Sequence, residues 1–511
     1  MTLQFQPEDV IRVPIIGAPF ARIIATASGS TAASGIIAIG VVGNMIVGQT
    51  VSSTKDQRYV NCFPEKIKNP FTGEERYFIT KRPGWATNTT PATGSQGSAI
   101  HIWVGQGGGT SIISAFGLTN GTVYNGTASI GTLTGVVTSI NDTLIGTTAN
   151  LLITTDGNKG YYYPDGGAMT EITDVDFPSN ASQTIVGEFV PLNGYNFIMT
   201  TSGRIYNSDL NSIANWDSLS WLSSNIKSDQ GLGLARYKNY IVAFGKESIE
   251  FFKVVQNATG SVLQPVQDNT INIGCISQYG FKEMWDTLVF IGSTAASGIG
   301  VYILDGLNAR KISTSTIDGI LSSTNVSGLF ANVFNLVGKT FLAIVSNSDA
   351  RTYVYGLDDD LWHEWTSGTI LWTHITGIGT GTRYIYAVSR GSTSGKVYVI
   401  NPTSFVFQDD GSNYTVTIQT SKFDGGTQYR KFVPKMFIVG DTYSSTNNIS
   451  LSWSDDDYVT FSTARTVDLS ADNAYVLGCG SFVRRAWRII QSNSMPLRLE
   501  AFEWAIKQGI H

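Results

Sequence analysis

Four histidines, His101, His363, His374 and His511, are the chain's whole stock of imidazole, and their settings limit what chemistry they can do. None lies in an HExxH run, the spacing that puts two zinc ligands and a general base on one helix face. No GxSxG elbow presents a serine nucleophile either. Asp358-Asp359-Asp360 precedes His363 and Glu364 in "GLDDDLWHEW", Gly356 to Trp365. Such an oxygen-rich run can hold calcium or another ion. It also reads as a tight acidic turn into a strand whose Trp362 and Trp365 pack or shield a sheet edge, and that reading is preferred. Gly231-x-Gly233 opens "GLGLARYKNYIVAFGKESIEFFK", but Arg236 stands where the dinucleotide fingerprint needs its third glycine. Strand-like "NYIVAF" follows instead of a helix, so no phosphate cradle is expected. Cys62, Cys275 and Cys479 are far apart, with no CxxC, and are expected as buried small side chains, not a disulfide framework or zinc site. No catalytic, cofactor-binding or metal-ligating residue is assigned, and no cofactor is expected.

The elements around these residues repeat. "VVTSINDTLIGTTANLLITTDGNKGYYYPDG" from Val136, "TIVGEFVPLNGYNFIMTTSGRIYNSD" from Thr184 and the Gly231 stretch share one plan. So do "GFKEMWDTLVFIGSTAASGIGVYILDG" from Gly280, "GLFANVFNLVGKTFLAIVSNSDARTYVYGLDDDLWHEW" from Gly328 and "ITGIGTGTRYIYAVSRGSTSGKVYVINP" from Ile375. In each, a short apolar strand meets a turn of Asn, Asp, Gly or Lys. A second apolar strand follows, such as Ile241–Phe244 or Leu342–Val345, then a third rich in aromatic and β-branched residues, such as Ile249–Phe252 or Tyr353–Tyr355. Unit starts are about 47–49 residues apart, the period of a four-stranded propeller blade. One blade cannot bury both its faces; a ring of blades buries each on its neighbour. A less regular unit, Ala99 to Gly126, precedes the six regular ones. The fold expected is all-β: a β-propeller of six or seven blades, with seven favoured.

Outside the repeat the pattern changes. From Thr415 onward, stretches such as "TVTIQTSKFDGG", "NISLSWSDDDYVTF" and "PLRLEAFEWAIKQG" alternate apolar and polar residues. They read as a separate antiparallel β-sandwich or β-platform. The expected domains are 1–98, an N-terminal arm; 99–408, the propeller; and 409–511, the C-terminal β domain, with Asp409-Asp410-Gly411-Ser412 at the boundary. Ile23 to Gly48 carries no charge and is longer than the ~20 residues that span a bilayer. Its Ser, Thr, Gly and Ala give little transfer energy, so a flexible or oligomer-packed arm, or a loop threaded against a neighbour, is expected instead of membrane insertion. Glu8 and Asp9, with no basic n-region, do not support a secretory signal.

Composition narrows the partners. The chain has 511 residues, 54 of them glycine; 14% are charged, and the net charge is −5. Low charge with abundant turn formers suits many short strands. A general nucleic-acid binder needs a basic face; none of the usual basic runs is present, and the local cluster Arg484-Arg485 is small. A mildly acidic wall past which DNA slides is compatible with this charge.

Two resemblances follow. "SWSDDDYVTFS", Ser452 to Ser462, resembles the Asp-box of sialidases: Ser454, Asp456, Thr460 and Phe461 match, and Tyr458 replaces the glycine. An Asp-box braces a hairpin and is not catalytic. More widely, "VPIIGAPFAR" (Val13–Arg22), "QRYVNCFPEKI" (Gln57–Ile67) and "KRPGW" (Lys81–Trp85) resemble, in this order, the start of the packaged-DNA stabilisation proteins, the tail hub or nozzle proteins of short-tailed (podovirus) bacteriophages. The Gly231 stretch, "YVYGLDDDLWHEWTSG" and the C-terminal "RRAWRII" and "MPLRLEAFEWAI" are similar to that family too. Ile23 to about Lys55 looks like an insertion.

The resemblance implies a non-enzymatic virion component of the phage tail. It implies a homohexameric ring below the portal and its adaptor ring, enclosing the DNA exit channel without sequence-specific DNA binding, with 1–98 as the adaptor-contacting segment and Ile23–Gly48 ordered against a neighbouring subunit or the adaptor ring. It further implies retention of packaged DNA, a needle or plug partner, and sites for tail fibres or tailspikes. The competing readings are a propeller glycosidase or glycan-binding protein of a phage tail, which needs carboxylates and exposed aromatics in the central pocket, and a surface adhesin.

Overall fold

A computed structural model describes residues 10–14, 57–68, 75–91, 94–104, 112–224, 227, 229–255, 257, 260–266, 270–284, 287–294, 298–368, 370–377, 384–389, 395–424, 427–505, 507 and 508. The chain divides into two compact units. One comprises 1–86, 353–368 and 405–511; the other comprises 87–352 and 369–404.

The second unit is a succession of antiparallel sheets. The first runs Gly97–Val104, Ile112–Leu118, Thr122–Asn125, Ala128–Thr132, and the second Val137–Ile145, Thr148–Thr155, Lys159–Pro164, Thr170–Glu171. The third is Ile185–Leu192, Tyr195–Thr200, Arg204–Ser208, Trp216–Ser223, and the fourth Gly231–Tyr237, Tyr240–Gly245, Ile249–Val254, Leu263–Pro265. In the fifth, Gly274–Cys275 and Phe281–Met284 both pair with Thr287–Thr294, followed by Gly298–Asp305 and Asn308–Lys311. A sixth opens with the hairpin Leu329–Leu336 and Lys339–Ser346. The last orders Trp372–Thr376, Ile385–Ser389, Val397–Ile400 and then Ala86–Thr89, a strand drawn from before the first sheet.

The inner strands Gly97–Val104, Val137–Ile145, Ile185–Leu192, Gly231–Tyr237, Phe281–Met284, Leu329–Leu336 and Trp372–Thr376 lie side by side in that order, and the last lies against the first. This closed succession is a propeller. The middle strands are apolar on both faces because each sheet lies between two others. In Tyr240–Gly245, Val242 and Phe244 pack with Leu288 and Phe290 of the fifth sheet, while Ile241 and Ala243 pack with Phe197 and Met199 of the third. All four are at most 1% exposed. The Gly231 stretch is thus three successive strands of one repeated unit, and its turn at Lys246–Ser248 is held by Asp229, whose carboxylate accepts from the Glu247 and Ser248 amides at 2.6 and 3.1 Å.

The first unit has two larger sheets. One orders Cys62–Lys68, Glu75–Lys81, Arg498–Ala505, Lys435–Gly440 and Tyr475–Leu477, with Val10–Pro14 also on Arg498–Ala505. The other includes Leu361–Trp365, Arg58–Val60, Val416–Gln419, Ala486–Gln491, Asn448–Ser454 and Arg465–Asp468 in that order. Both supply one apolar core: Ile79, Met436, Leu499 and Trp504 from the first, Ile418, Leu451, Trp487 and Ile489 from the second. The Trp487 and Trp504 rings lie 4.8 Å apart at its centre.

Two expectations need correcting. Residues 58–86 are not part of an arm: they are strands of the same unit as 405–511, and Leu361–Trp365 belongs there as well. The division therefore does not fall at 98 and 408. Cys62–Lys68 and Glu75–Lys81 form a local hairpin, but Arg58–Val60 finds Leu361–Trp365 and Val416–Gln419, and Glu75–Lys81 finds Arg498–Ala505, hundreds of residues later, so nothing local announces which unit they join. The Ile23–Gly48 segment lies outside the described residues. Among those described, no helix is long and apolar enough to cross a membrane.

Candidate functional site

Of the stretches that carry the family resemblance, the Gly231 stretch lies in the second unit, while "QRYVNCFPEKI", "KRPGW", "YVYGLDDDLWHEWTSG" and the C-terminal ones belong to the first. The strand Arg58–Val60 runs parallel to Leu361–Trp365, Val60 opposite Glu364. That register places the Arg58 guanidinium on the Glu364 carboxylate through two bonds, 2.7 and 2.6 Å. The next residue, Asn61, turns the chain with φ 58°. Its Oδ1 accepts from Arg82 Nε and the Thr366 amide, both at 2.9 Å, and its Nδ2 donates to the Thr415 carbonyl at 2.7 Å.

Arg82 and Asp409 are the centre of this junction. Their side chains are 0% and 2% exposed, and the guanidinium grips the carboxylate through Nη1 at 3.0 Å and Nη2 at 2.5 Å. The Trp85 amide also donates to Asp409, at 3.0 Å, and the Tyr414 hydroxyl donates to the Arg82 carbonyl. Burial alone lowers the Arg82 pKa, but the charge of Asp409 and the neighbouring Tyr414 more than reverse this, leaving it raised. Lys81 donates to the Asn493 and Met495 carbonyls; burial first, then the Arg82 charge, pushes its pKa down to about 8. Gly84 must be glycine, since a Cβ there would lie 2.0 Å from the Gln408 carbonyl oxygen. The ionic groups Arg58, Glu364, Lys81, Arg82 and Asp409 are each engaged with protein, which makes the junction a framework that ties these strands together.

The second unit carries a cavity at the axis of its inner strands. It holds about 100 Å3 and is lined by residues of six of those strands and of the loop before Phe281, against about 300–1,000 Å3 for a typical ligand pocket. Tyr279, Phe330 and His374 fill part of the bore. The Phe330 ring lies 5.0 Å from each of the other two, too close to admit a guest between them. His101 Nε2 meets Asp142 Oδ1 at 2.6 Å across the first two inner strands. Glu188 meets Lys282 at 3.6 Å across the intervening strand Gly231–Tyr237. Gly187 and Gly233 let those strands close up: a Cβ on Gly187 would lie 2.9 Å from the Gly233 Cα. Glu283 accepts from the Arg236 amide at 2.5 Å. Burial first, and then the charge of Glu188, pushes its pKa up to about 7.

The sequence model of the family described as "Bacteriophage P22 Gp10, beta-propeller" matches residues 46–369. The chain belongs to this P22 Gp10 family. The family is one of structural bacteriophage proteins, which makes this chain a virion component. "QRYVNCFPEKI", "KRPGW", the Gly231 stretch and "DLWHEW" all lie inside the match, whereas Asp409 and the C-terminal strands lie beyond it.

Solved structures resemble the chain only distantly. BBS1N in complex with ARL6DN is 12% identical at a TM-score of 0.42, covering 63% of this chain and 99% of that one. YCF48 from Cyanidioschyzon merolae is also 12% identical, at 0.41, over 63% and 100%. BamB from Moraxella catarrhalis is 13% identical, at 0.34, over 59% and 84%. No curated protein matches.

The residues that drew attention in this Gp10-family sequence have the following places. His101 and His374 both line the axial cavity; His363 is buried beside Phe63 and Trp365; His511 lies outside the described residues. Asp358–Asp360 form a turn closed by Asp360 at φ 54°, with the Tyr355 hydroxyl on its carboxylate at 2.5 Å. The Asp-box forms: Asp456 accepts from the Thr460 amide and hydroxyl and from Ser454, and these bonds, the Thr460 hydroxyl first, bring its pKa down to about 2. Tyr458 takes the left-handed backbone of the missing glycine, φ 64°, while its ring is buried and its hydroxyl donates to the Thr420 carbonyl at 2.9 Å. Cys62, Cys275 and Cys479 are buried free thiols. Sequence reasoning missed the Arg82–Asp409 pair and the Glu188–Lys282–Glu283 group, because neither has local spacing. The only signal was the invitation in "KRPGW" to ask what buries an arginine beside a tryptophan.

Proposed function

We propose that this chain is a non-enzymatic tail protein acting as a homohexameric hub or nozzle ring below the portal and adaptor, retaining packaged DNA and anchoring fibres, spikes or a needle. The family match over residues 46–369 is the observation that carries this reading. The filled axis of the second unit gives it a definite form. Since Tyr279, Phe330 and His374 occupy that bore, the reading puts the DNA channel between copies of the chain, with seven blades in each copy. Six copies carry a formal charge of −30, six times −5. An acidic lumen repels phosphates over a Debye length of ~8 Å at physiological salt, keeping DNA mobile instead of adsorbed.

The glycosidase or glycan-binding reading has less support. The axial cavity is smaller than a sugar site, and the Glu188 in its lining is engaged with Lys282. Native mass spectrometry of the purified protein tests the assembly, with six chains expected and a monomer contradicting it. Mutant particles lacking the protein should fill with DNA and then leak it. Retention of the genome, or tight salt-sensitive binding of duplex DNA by the purified ring, would sink the proposal.

A further inference from the structure

The strand Tyr475–Leu477 ends its sheet, with Lys435–Gly440 as its one neighbour there. Val476 and Met436 belong to the core, so the register turns Tyr475, Leu477, Lys435 and Phe437 to the opposite face. On that face Tyr475 is 45% exposed and Leu477 57%. Before Pro434 the same two chain segments pair again, Phe432 opposite Ser481, and Phe432 is 45% exposed. Single apolar side chains scattered over a surface are ordinary. Three on one two-stranded ribbon, beside the half-buried Phe437 ring, form a patch. Cations border it. Lys435 holds its ammonium 4.3 Å from the Phe437 ring centroid and 4.0 Å from that of Tyr475, although Glu503 lies beside Phe437 in the register. Arg465 donates to the Leu477 and Gly478 carbonyls and lies 4.9 Å from the Trp453 ring. Arg430 donates to the Ser481 hydroxyl at 3.1 Å. Among the described residues none of these three cations pairs with a carboxylate. Elsewhere in this unit Arg58, Arg82, Lys422, Arg485 and Arg498 each have one.

We propose that the ribbon of 432–437 and 475–481 is a docking surface for an acidic segment of another protein, one that carries Asp or Glu among apolar side chains. An apolar centre bordered by polar groups is the anatomy of a protein interface, and aromatic rings and arginine are its usual anchors. Carboxylates brought to Lys435, Arg465 and Arg430 form charge-assisted hydrogen bonds, while apolar side chains cover Leu477 and Tyr475. A nucleic acid fits less well. Three cations release few counterions, and Leu477, the most exposed of the patch, offers a base no ring to stack on. This inference goes beyond the tail reading and does not depend on the number of copies in a ring.

The test is selection of short random peptides on the immobilised full-length protein, repeated on Leu477→Asp and on Lys435→Glu, with thermal melting to show that each variant is folded. Peptides held by wild type and weakened about tenfold or more by both variants, as on loss of an interface anchor, should be rich in Asp or Glu beside Leu, Phe, Tyr or Trp. Val175→Asp, at an exposed position of the other unit, should hold them as wild type does. An oligothymidylate, the nucleic-acid probe, should not bind at this surface. The proposal is overturned if no peptide is sensitive to the variants, or if the sensitive ones show no enrichment of acidic residues. Oligothymidylate binding that Lys435→Glu abolishes overturns it in favour of nucleic acid. If one variant does not fold, the other decides.

Discussion

Asp409 shows how much one side chain can carry when water is excluded. The Arg82 guanidinium is fully buried, and removing its partner leaves a charge that no solvent reaches. Such a loss costs about 3–5 kcal/mol, far more than an exposed pair, which contributes about 0–1. Asp409→Leu should therefore lower the urea midpoint of the chain sharply, while Lys159→Gln, which breaks the exposed Lys159–Glu171 pair, should leave it almost unmoved. Equal effects would mean that the junction is solvated. Tyr458 poses a contest of two effects. Its left-handed backbone is strained by about 1 kcal/mol or more, which glycine would relieve. Its buried ring and hydroxyl bond contribute about 3–5 kcal/mol by the usual large-to-small measure. Packing wins this comparison, so Tyr458→Gly should destabilise by about 2 kcal/mol or more, although it restores the Asp-box pattern. A glycine variant as stable as wild type would show that backbone strain outweighs the packing of the ring.

Among the elements, the middle strand Tyr240–Gly245 has no solvent face. Val242 points to one neighbouring sheet and Ala243 to the other. An aspartate at either position enters a low-dielectric seam without a partner, costing several kcal/mol. Val242→Asp and Ala243→Asp should both yield aggregated or unfolded protein. A solvent-facing strand would instead tolerate one of the two, so a single well-folded variant by thermal melting refutes the two-sided burial.

For the molecule as a whole, the second unit is closed by a strand from its own beginning. Ala86–Thr89 completes the sheet of Val397–Ile400 as its outermost strand, which ties the start of the unit to its end and pairs the edge that Val397–Ile400 would otherwise present. Successive amides of a strand point alternately toward and away from a neighbour, and proline removes one donor. Of Asn88→Pro and Thr89→Pro, the one whose amide faces Val397–Ile400 should lower the thermal midpoint by the equivalent of about 1 kcal/mol or more, and the other should have less effect. If neither changes it, closure by this strand contributes nothing to stability.

The repeat is written in the residues themselves. A period of 47–49 residues with an all-apolar middle strand could be satisfied only by sheets buried on both sides, so the all-β propeller was legible from Val136 to Pro402. Local chemistry was legible as well: the Asp358–Asp360 turn and the Ser454–Thr460 box are held by bonds spanning five residues or fewer. What the sequence could not express was partnership at long range. Arg58 meets Glu364, Arg82 meets Asp409 and Arg498 meets Glu65 across 306, 327 and 433 positions. No periodicity encodes those distances, so the strands from Arg58 to Lys81 read as an arm. The axial group is of the same kind: Glu188, Lys282 and Glu283 sit in unremarkable strands. Only closing the ring, with Gly187 against Gly233, brings Glu188 to Lys282.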